Sequence, residues 1–591
     1  MDTTEKTEKP SNLQKKYLHY IITWLIFTSF FCVTFVGCFF WFIKLNKSLM
    51  WYSDGLYTHY NFLAYFGEYL RTVFSNISKG VFSLPMFDYS FGYGSDIITT
   101  LNARFGDPFN YFAVFFQRED IEVFFNITSI LRIYLCGITF LIYCGAHKKR
   151  RLPSILGALC YAFSGLTFWA GVRHPYFMLP LIYFPLLILG AEKVYKKKNP
   201  TLFVTMVFLM AIGNFYFLYM ASAILVLWVV VDFFCDKKLQ SVKNFFITFF
   251  RFSAWYLMGI GLAMPLFFPT VIAFFNNSRV GLKPVENHLF RELTYYLEFP
   301  IRYISQGIEY GEATGYTALT LICCIMIFFM KKIRKSLKIK FVIFTVFLLI
   351  PFFGYALNGF SYVTNRWLFA NAFLVSVITV VALEELFRFH SKANVKVLTL
   401  GLCFYMILYS AFFDDGDGTF SMAAAMLCMT AIVIFIILPY IKSIHKIKLV
   451  APLFSLLTIV SLIINGNFRF SPNNEDYISE FRDYGTAEET LTTTPASNIY
   501  DNHPFYRIDE ASSILNSSIA QGYKGLSFYT SLLDKRINDF HLKMGIANLT
   551  AGTVYNFKGC DRRSFIEALM GVKYYATFSG DSDIPANFDY V

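Results

Sequence analysis

The chain contains few charged residues for its length. Of its 591 residues, 16% are Asp, Glu, Lys or Arg, whereas 56% are hydrophobic and 20% are aromatic. The mean hydropathy is +0.47. A soluble protein needs more charge than this to cover its surface, and long uncharged runs are typical of helices that cross a bilayer. The composition therefore excludes a soluble globular protein and predicts a polytopic membrane protein.

Paired cysteines are missing as well. All eleven cysteines except Cys560 lie in or beside apolar runs, and no loop contains two of them at the spacing of metal ligands. Disulfide frameworks and the zinc sites that can be recognised from sequence both need such pairs. The sequence therefore predicts neither a disulfide framework nor a zinc site.

Nucleotide-binding motifs are also absent. The sequence contains neither a Walker loop nor a Rossmann fingerprint, which argues against a nucleotide-sugar donor used in the cytoplasm. The net charge of +12 does not indicate nucleic acid, because the basic residues cluster in short loops between apolar runs. No small-residue cleavage site follows the first apolar run, so we expect a retained first helix behind a cytoplasmic tail of residues 1–17.

The apolar runs predict the membrane topology. They cover residues 18–43, 121–145, 153–171, 176–194, 201–234, 244–274, 315–330, 341–357, 366–385, 397–412, 420–440 and 449–465. The run 201–234 is too long for one span and contains Gly213 and Asn214 at its middle, so we predict a turn there between two short helices. The region 18–465 then forms about thirteen transmembrane helices.

The basic loops predict the orientation of these helices. With the run 201–234 split in two, six basic loops face the side of the N-terminus: 147–151, 193–198, 236–243, 331–335, 388–396 and 442–448. With a single helix there, every later loop would invert and the positive-inside rule would fail. The N-terminus is therefore predicted to be cytoplasmic, and residues 466–591 extracytoplasmic.

The predicted outer side carries most of the distinctive sequence. It has two long loops, 44–120 and 275–314, and a short loop with the acids Asp414, Asp415 and Asp417. In the first long loop, apolar residues recur at helical spacing, which predicts an amphipathic helix lying in the membrane interface. These residues are Leu56, Tyr60, Leu63, Phe66, Leu70 and Val73.

The last 126 residues differ in composition from the rest. From residue 466 onward Asn, Ser, Thr and Asp replace the long apolar runs. Alternating stretches at 505–508 and 572–577 predict strands, and 564–570 predicts a short helix. The segment 466–591 is therefore predicted to be a mixed α/β extracytoplasmic domain.

Several short motifs resemble the YfhO family of bacterial membrane proteins, and their order along the chain is stronger evidence than any one of them. They are Asp54-Gly55 with Tyr57 and His59, Ser90 to Asp96, Gly106 to Asn110, Asn214 to Phe217, Asn365 to Trp367, Tyr506 to Ile508, and Ala568 to Tyr574. The similarity covers nearly the whole chain. Family members continue to a last membrane helix, so we expect an incomplete outer domain where this sequence stops at Val591.

The resemblance implies a fold and an activity. The fold is a GT-C-like transmembrane bundle in the bacterial plasma membrane. The activity is transfer of a sugar from a polyprenyl-phosphate donor to a cell-envelope polymer, such as lipoteichoic acid or another teichoic acid, on the outer face. A lipid-linked sugar synthase and a flippase are then the functional partners. The predicted outer domain would either help to hold the acceptor polymer or act only as a lid that stabilises the bundle.

Asp54 is the candidate catalytic base. Glycosyl transfer needs a base for the acceptor hydroxyl and positive charge for the departing phosphate. Asp54 follows the first span at the water boundary, between the aromatic residues Trp51, Tyr52 and Tyr57, where partial desolvation would help it to accept a proton. The alternative is that Ser53 and Asp54 only start the next helix; the resemblance favours the base.

Arginines at the predicted outer surface are the candidate phosphate ligands. Arg366, at the outer end of its span, is the first choice, and Arg173 with His174 in a tight hairpin is the second. For Arg366 the alternative is snorkelling beside Trp367, and for His174 a plain hairpin role. Arg132 lies deeper in its span, where it either reaches a lipid phosphate or pairs within the bundle.

Further polar residues complete the candidate site. Asp96 and Asp107 are candidates for a second acid or for holding a divalent cation with Asp54, although both also suit turns and helix starts. No other cofactor is expected. The residues predicted to line a lipid or sugar cavity are Tyr57, His59, Tyr93, Asn214 and Tyr216.

Two rival functions remain open from the sequence. A transporter or flippase of a lipid-linked sugar would share the many spans, the broken run and the buried arginine. Such a protein should show two repeating halves and short loops, whereas this chain has a large acid-bearing first loop. A non-enzymatic envelope scaffold is the other rival, and it would tolerate replacement of Asp54.

Overall fold

The computed structural model describes most of the chain. The described residues are 12–237, 240–277, 289–306, 314–386, 393–413, 418–437, 444–473, 477–503, 505–511, 514–546, 556–578, 580 and 584–589. The predicted acidic loop at Asp414 lies outside them, as do 387–392 and 438–443 of two basic loops and large parts of the loop 275–314.

Helices dominate the described part of the chain. In chain order they are α1 Asn12–Cys38, α2 Phe40–Lys44, α3 Asn61–Ser78, α4 Ile97–Thr100, α5 Asn102–Phe105, α6 Ile121–Ala146, α7 Arg151–Ala162, α8 Met178–Tyr195, α9 Thr201–Gly213, α10 Phe215–Cys235, α11 Val242–Phe275, α12 Leu293–Ile304, α13 Ala318–Met326, α14 Lys335–Leu349, α15 Pro351–Leu357, α16 Leu368–Leu386, α17 Ala393–Phe412, α18 Thr419–Ile437, α19 Ile444–Arg469, α20 Ala487–Thr492, α21 Ser517–Gln521, α22 Lys535–Met544 and α23 Ser564–Met570.

Eight of these helices, among the described residues, are long and apolar enough to cross a membrane. The bent pair α14 and α15, which meet at 95°, makes a ninth if it is one span. The prediction of a multi-pass membrane protein is confirmed, but the count of thirteen is not. The difference arises because several predicted runs form helices shorter than a bilayer span: Thr201–Gly213, Ala318–Phe329 and Phe420–Ile436 have 10–17 residues, and α7 has 12.

The break predicted within the run 201–234 is confirmed. Helix α9 ends at Gly213 and α10 begins at Phe215. Asn214 between them is extended, with φ −169° and ψ 112°, and its side chain accepts a hydrogen bond from the Tyr216 backbone N–H. Asparagine is favoured at this position because its side-chain oxygen replaces a partner that the first turn of a helix lacks.

Two helices form the centre of the bundle. In the candidate spans Pro175–Tyr195 and Leu368–Leu386, 83% of the most apolar window is buried, against 22% in Tyr17–Cys38 and 17% in Val242–Phe275. The first two are hydrophobic all round and are enclosed by other helices, whereas the last two leave apolar side chains on the outside of the protein. Such a face suits contact with lipid.

Two of the basic loops, 147–151 and 193–198, lie at one end of the bundle together with the end of α16. After α6, His147 Nε2 lies 2.7 Å from Glu192 Oε2 near the end of α8. Lys149 Nζ lies 2.8 Å from Glu384 Oε2 near the end of α16. The loop that carries Asp54 is at the opposite end, because α6 starts there and its Asn126 accepts a hydrogen bond from the backbone of Leu49.

The strands are short and lie in the first long loop and the last segment. They are β1 Lys47–Trp51, β2 Phe87–Asp88, β3 Ser95–Asp96, β4 Phe481–Asp483, β5 Arg507–Glu510, β6 Ser527–Tyr529, β7 Asn556–Lys558 and β8 Val572–Ala576. Among described residues they form four two-stranded sheets, of which β5–β8 is parallel. The predicted strands at 505–508 and 572–577 and the helix at 564–570 are all present, within two residues.

The first loop and the last segment share their hydrophobic cores. Strand β1 pairs with β4 across more than 400 residues of sequence. One core combines residues of both regions, including Phe66, Phe91, Ile519, Phe528 and Phe557. We call residues 44–120 together with 477–589 the head. The apolar face of α3 is covered by this shared core, so the expectation of a helix lying in the membrane interface is wrong.

Candidate functional site

Asp54 lies where the head meets the bundle, in the turn between β1 and a π-helical turn at Gly55–Tyr60. It occupies the N-cap position of that turn, yet its side chain makes no capping hydrogen bond. Its backbone carbonyl instead accepts a hydrogen bond from Thr58 Oγ1 at 2.6 Å. The side chain is half-buried. The helix-cap alternative for the carboxylate is therefore not supported by its geometry.

Two histidines form a buried pair beside this turn. His59 Nε2 and His174 Nδ1 are 2.9 Å apart, and Arg104 Nη2 lies 3.2 Å from His59 Nδ1. A guanidinium only donates, so with Arg104 as its partner His59 Nδ1 accepts and the proton of His59 is on Nε2. Thr58 Oγ1, which donates to the Asp54 carbonyl, lies at the same distance of 3.2 Å from His59 Nδ1. His174 Nδ1 then accepts from His59, which leaves the His174 proton on Nε2.

Both imidazoles are neutral near pH 7. Burial lowers the pKa of His174 to about 3, helped by the charges of Arg366 and Arg173. Burial also holds the pKa of His59 well below its ordinary value, with Arg104 and His174 contributing. The two histidines are thus a neutral, hydrogen-bonded link from Arg104 to His174. They do not add two positive charges to the site.

Arg173 joins the bundle to the head. Its guanidinium forms an ion pair with Glu480, a residue of the last segment. It also lies over the rings of Trp51, at 4.9 Å, and Tyr477, at 4.4 Å. Trp51 Nε1 donates to the same carboxylate at 3.1 Å. These contacts hold Arg173 in place two residues before the helical turn Pro175–Phe177, which leads into α8.

Arg366 lies on the other side of His174. Its guanidinium is over the rings of Phe177, Tyr216 and Tyr362, at 5.1–5.7 Å. The Tyr216 hydroxyl, which also binds Asn358, accepts from Arg366 at 3.5 Å. The Phe177 ring stacks on His174 at 4.7 Å. The helix break at Asn214 thus places Tyr216 against the arginine that is the first choice for phosphate.

Arg132 forms an ion pair with Asp107 inside the protein. This is one of the two alternatives predicted for it, the other being contact with a lipid phosphate. Its guanidinium donates to Asp107 Oδ2 at 2.6 Å and to Asn110 Oδ1 at 3.2 Å, and both charged side chains are almost fully buried. A small cavity of about 20 Å³ adjoins this ion pair. It has room for about one water molecule, and His59 and Arg104 also line it.

Arg104 is the main residue that the sequence did not single out. Its guanidinium is buried and donates to the Thr58 carbonyl and to neutral His59. Its Nε has no hydrogen-bond partner among described residues. Burial lowers its pKa to about 10, so it stays charged at pH 7. Arg104 lies two residues before the motif Gly106 to Asn110. The sequence predicted a site role for Asp107 in that motif but none for Arg104.

Other predicted residues are placed elsewhere. Asp96 caps the short helix α4, accepting from the Thr99 backbone at 2.7 Å and from its hydroxyl. Tyr57 packs in a core of the head. Tyr93 stacks on Phe557 within the head, at 4.8 Å between ring centroids. None of the three contacts the histidine pair.

The proposed cation site of Asp54, Asp96 and Asp107 does not form. Among described residues, the one group of three metal-binding side chains within ligand distance is Asp509, Cys560 and Glu567, in the head. Asp107 is engaged by Arg132, and Asp96 by the first turn of α4. Proximity in sequence within one loop was not sufficient to predict a shared cation site. Asp96 and Asp107 each bind neighbours of their own instead.

The assembled site is an anion-binding arrangement next to a carboxylate. Arg104 donates to the Thr58 carbonyl in the turn that follows Asp54 and to His59, and His59 contacts His174. The charges of Arg366 and Arg173 act on His174. Asp107 forms an ion pair with Arg132, and Glu480 forms one with Arg173. Several arginine side chains therefore come together where the head meets the bundle. A phosphate group is the ligand chemistry that suits this charge.

Comparison with known proteins gives two matches. The model of a family described as "Bacterial membrane protein YfhO" matches residues 26–590. A protein of Bacillus subtilis (strain 168), described as "Uncharacterized protein YfhO", is 23% identical over 542 residues. That alignment covers 88% of this chain and 61% of the relative, so the chain spans about three fifths of the length of that protein.

Proposed function

The chain belongs to the YfhO family of bacterial membrane proteins, and on that premise we propose that it transfers a sugar from a polyprenyl-phosphate donor to a cell-envelope polymer such as lipoteichoic acid. The observation that supports the proposal best is the placement of Asp54. Its carboxylate does not cap its helix, and the turn that follows it accepts a hydrogen bond from buried Arg104 at the Thr58 carbonyl. Asp54 lies at the end of the bundle away from the basic loops. That end is extracytoplasmic in the proposal, in keeping with the positive-inside rule.

The proposed reaction assigns the proton and the leaving group to different residues. Asp54 accepts the proton of the acceptor hydroxyl, whose oxygen forms the new bond to the anomeric carbon. The bond from that carbon to the phosphate oxygen breaks, and its electron pair leaves with polyprenyl phosphate. Arg366 and Arg173 stabilise the charge on this phosphate, and the bundle in this proposal is GT-C-like.

The neutral histidine pair has a positioning role in this scheme. With Arg104 as the donor to His59 and His59 as the donor to His174, the remaining N–H of His174 is on Nε2 and is available to a ligand in this proposal. A neutral donor binds a phosphate oxygen without adding charge that the buried site would have to compensate. The donor itself must be supplied at this face by a lipid-linked sugar synthase and a flippase.

The test replaces Asp54 by Asn in cells that decorate their polymer. Loss of a general base typically costs about 10²–10⁴-fold in rate, so we expect polymer-linked sugar to fall to background while the protein stays at its normal membrane level. Asp120→Asn is the matched control, because Asp120 also occupies an N-cap position without a capping bond and is exposed. Normal decoration by Asp54→Asn would refute Asp54 as the base.

A transporter of a lipid-linked sugar is the second candidate. The break at Asn214 and the 95° bend between α14 and α15 favour it, because broken helices often line substrate paths in transporters. The break at Asn214 and the C-terminal end of α15 meet at Tyr216, Asn358 and Arg366. In a transporter these residues would bind the phosphate of the lipid, and no transfer of the sugar would follow.

A further inference from the structure

A buried cluster in the head has the composition of a metal site. Asp509 of β5, Cys560 of the turn after β7 and Glu567 of α23 place one ligand atom each within 4.8 Å of one another. Their exposed fractions are 3%, 0% and 0%. None of them contacts Asp54 or the histidine pair, so this cluster has no part in the transfer reaction proposed above.

The carboxylate of Glu567 lacks the partners that a buried charge needs. Its only close polar neighbours among described residues are the Asp509 carboxyl and the Cys560 thiol, and neither of its oxygens receives a hydrogen bond of good geometry. Asp509 receives two, from the backbone N–H groups of Glu510 at 2.9 Å and Cys560 at 3.0 Å. An uncompensated buried carboxylate costs several kcal/mol. The pair therefore holds protons or a cation.

The nearest basic side chain does not neutralise the pair. Arg507 donates to the Tyr93 carbonyl at 3.0 Å and lies over the Tyr89 ring, and it forms no ion pair with either acid in the described structure. Two buried carboxylates this close together repel each other when both are ionised, and a cation between them would remove that cost.

The surrounding backbone is shaped for the cluster. Gly559 has φ +59°, and a Cβ there would come 2.5 Å from both carboxylate oxygens of Asp509. Only glycine lets the chain approach the acid this closely. Beyond Cys560, the Tyr93 hydroxyl lies 4.0 Å from Sγ and 2.8 Å from His541 Nε2, and His541 Nδ1 is buried without a partner.

We propose that Asp509, Cys560 and Glu567 bind one divalent cation, with Zn²⁺ as the ion that the ligands favour. One thiolate and two carboxylates are a ligand set that zinc accepts at tetrahedral geometry, and a water molecule fills the fourth position. Binding displaces the thiol proton of Cys560 and neutralises the buried acids. The ion joins β5 to the turn after β7 and to α23, which lie 51 and 58 residues further along the chain, and Tyr93 extends this link to the first loop.

This site differs from the prediction that the sequence contains no zinc site. The ligands are separated by 51 and 7 residues, so no paired motif signals them. Cys560 is the one cysteine that the sequence places away from the apolar runs. Its burial beside two acids is a consequence of the tertiary fold, which packs α23 against the turn after β7.

The first experiment measures metal in the full-length protein. Detergent-purified protein without a polyhistidine tag is equilibrated with Zn²⁺ alone, desalted and analysed by elemental mass spectrometry. We expect about one Zn²⁺ per chain, and a large reduction in Glu567→Gln and Cys560→Ser. The controls Glu489→Gln and Cys32→Ser, which alter exposed residues, should bind as the unaltered protein does. No zinc in the unaltered protein, or equal zinc in all variants, would overturn the proposal.

A second readout covers variants that fail to fold. The unaltered protein loaded with Co²⁺ should show a thiolate-to-metal charge-transfer band, since Cys560 is a ligand; absence of this band would contradict the site. Where Glu567→Gln does fold, its response to Zn²⁺ distinguishes a bound cation from simple protonation of the buried acids. If Zn²⁺ is bound, Zn²⁺ raises the Tm of the unaltered protein but not of Glu567→Gln. If Glu567 is only protonated, neither Tm responds, and the proposal fails.

Discussion

At the scale of single residues, the site depends on what holds each side chain in place. Arg366 is surrounded by the rings of Phe177, Tyr216 and Tyr362. Such rings favour a flat guanidinium, which stacks on them while its N–H groups point to a ligand. Lysine has the same charge but neither the planar shape nor the forked donors.

Arg366→Lys should therefore weaken donor binding while the protein stays folded. We expect the KM for the polyprenyl-phosphate sugar to rise about 10-fold, which corresponds to about 1.4 kcal/mol, with a smaller change in kcat. Steady-state kinetics with purified protein would measure both constants. Arg251→Lys, in α11, is the control and should leave both unchanged. An unaltered KM in Arg366→Lys would show that Arg366 does not bind the phosphate.

The buried histidines predict a pH dependence of stability. The pKa of His174 is about 3 in the folded protein, against an ordinary value of about 6.5 in the unfolded chain. Between these values the unfolded state binds the proton and the folded state does not, so stability falls as the pH falls from about 6.5 towards 3. Above pH 6.5 both states are neutral, and this effect is absent.

Replacing His174 by Gln should remove part of this slope. The Tm of the unaltered protein in detergent, followed by tryptophan fluorescence between pH 7.5 and 4, should drop more steeply than that of His174→Gln. His503→Gln, at an exposed position, is the control and should keep the full slope. Parallel curves for all three proteins would contradict the neutral, buried state of His174.

At the scale of secondary-structure elements, one contact links two motifs that are about 100 residues apart. Gly106, just after α5, lies against the break between α9 and α10. A Cβ at Gly106 would be 1.8 Å from the Ile212 carbonyl oxygen and 2.7 Å from Gly213 Cα. Both neighbours are backbone atoms, which cannot rotate away. The close approach keeps Arg104 and Asp107 beside the bundle.

Gly106→Ala should consequently push the first loop away from the helix break. Overpacking of this kind typically costs about 1–3 kcal/mol, so we expect a lower Tm together with a loss of sugar transfer, since Arg104 would shift from His59. Differential scanning fluorimetry and the transfer assay would report these changes. The control is Gly401→Ala in α17, where the added Cβ meets nothing within 4 Å. A variant with normal Tm and activity would show that this contact is not required.

The helix break shows what the sequence can predict about this fold. The length of the run and its Gly213-Asn214 pair were enough to locate the break to the residue, because these are local signals. The number of spans was harder to predict, since the length of an apolar run does not show where the helix ends in the folded protein. Shorter helices such as α7 and α9 are buried by neighbours, so they do not need the length of an isolated span.

The sequence could point to candidate residues whose position along the chain was informative. It could not point to residues that join the site only through tertiary packing. Asp54, Arg173, His174 and Arg366 were chosen because each lies at the end of a span, and the structure places the last three around one another. The grouping of Asp96 and Asp107 with Asp54 assumed that one loop makes one site. Arg104 and the partner Glu480 come from contacts between distant segments, which a single sequence does not reveal.

At the scale of the whole molecule, the head closes over the end of the bundle. Strand pairing of β1 with β4, the ion pair of Arg173 with Glu480 and the shared cores join the two regions. The cavity near His59 is accordingly small. In the proposed reaction, a donor phosphate that contacts buried Arg104 or His174 would need the head to move relative to the bundle, and the Arg173–Glu480 contact is one connection that would then open.

The most direct measurement of the central claim follows the sugar in a purified system. Protein in liposomes is given polyprenyl phosphate carrying a labelled hexose, together with the acceptor polymer. We expect label to appear on the polymer together with an equal amount of free polyprenyl phosphate. Asp54→Asn should form neither product. Label that crosses the bilayer on an intact donor, or transfer by Asp54→Asn at the normal rate, would contradict the central claim.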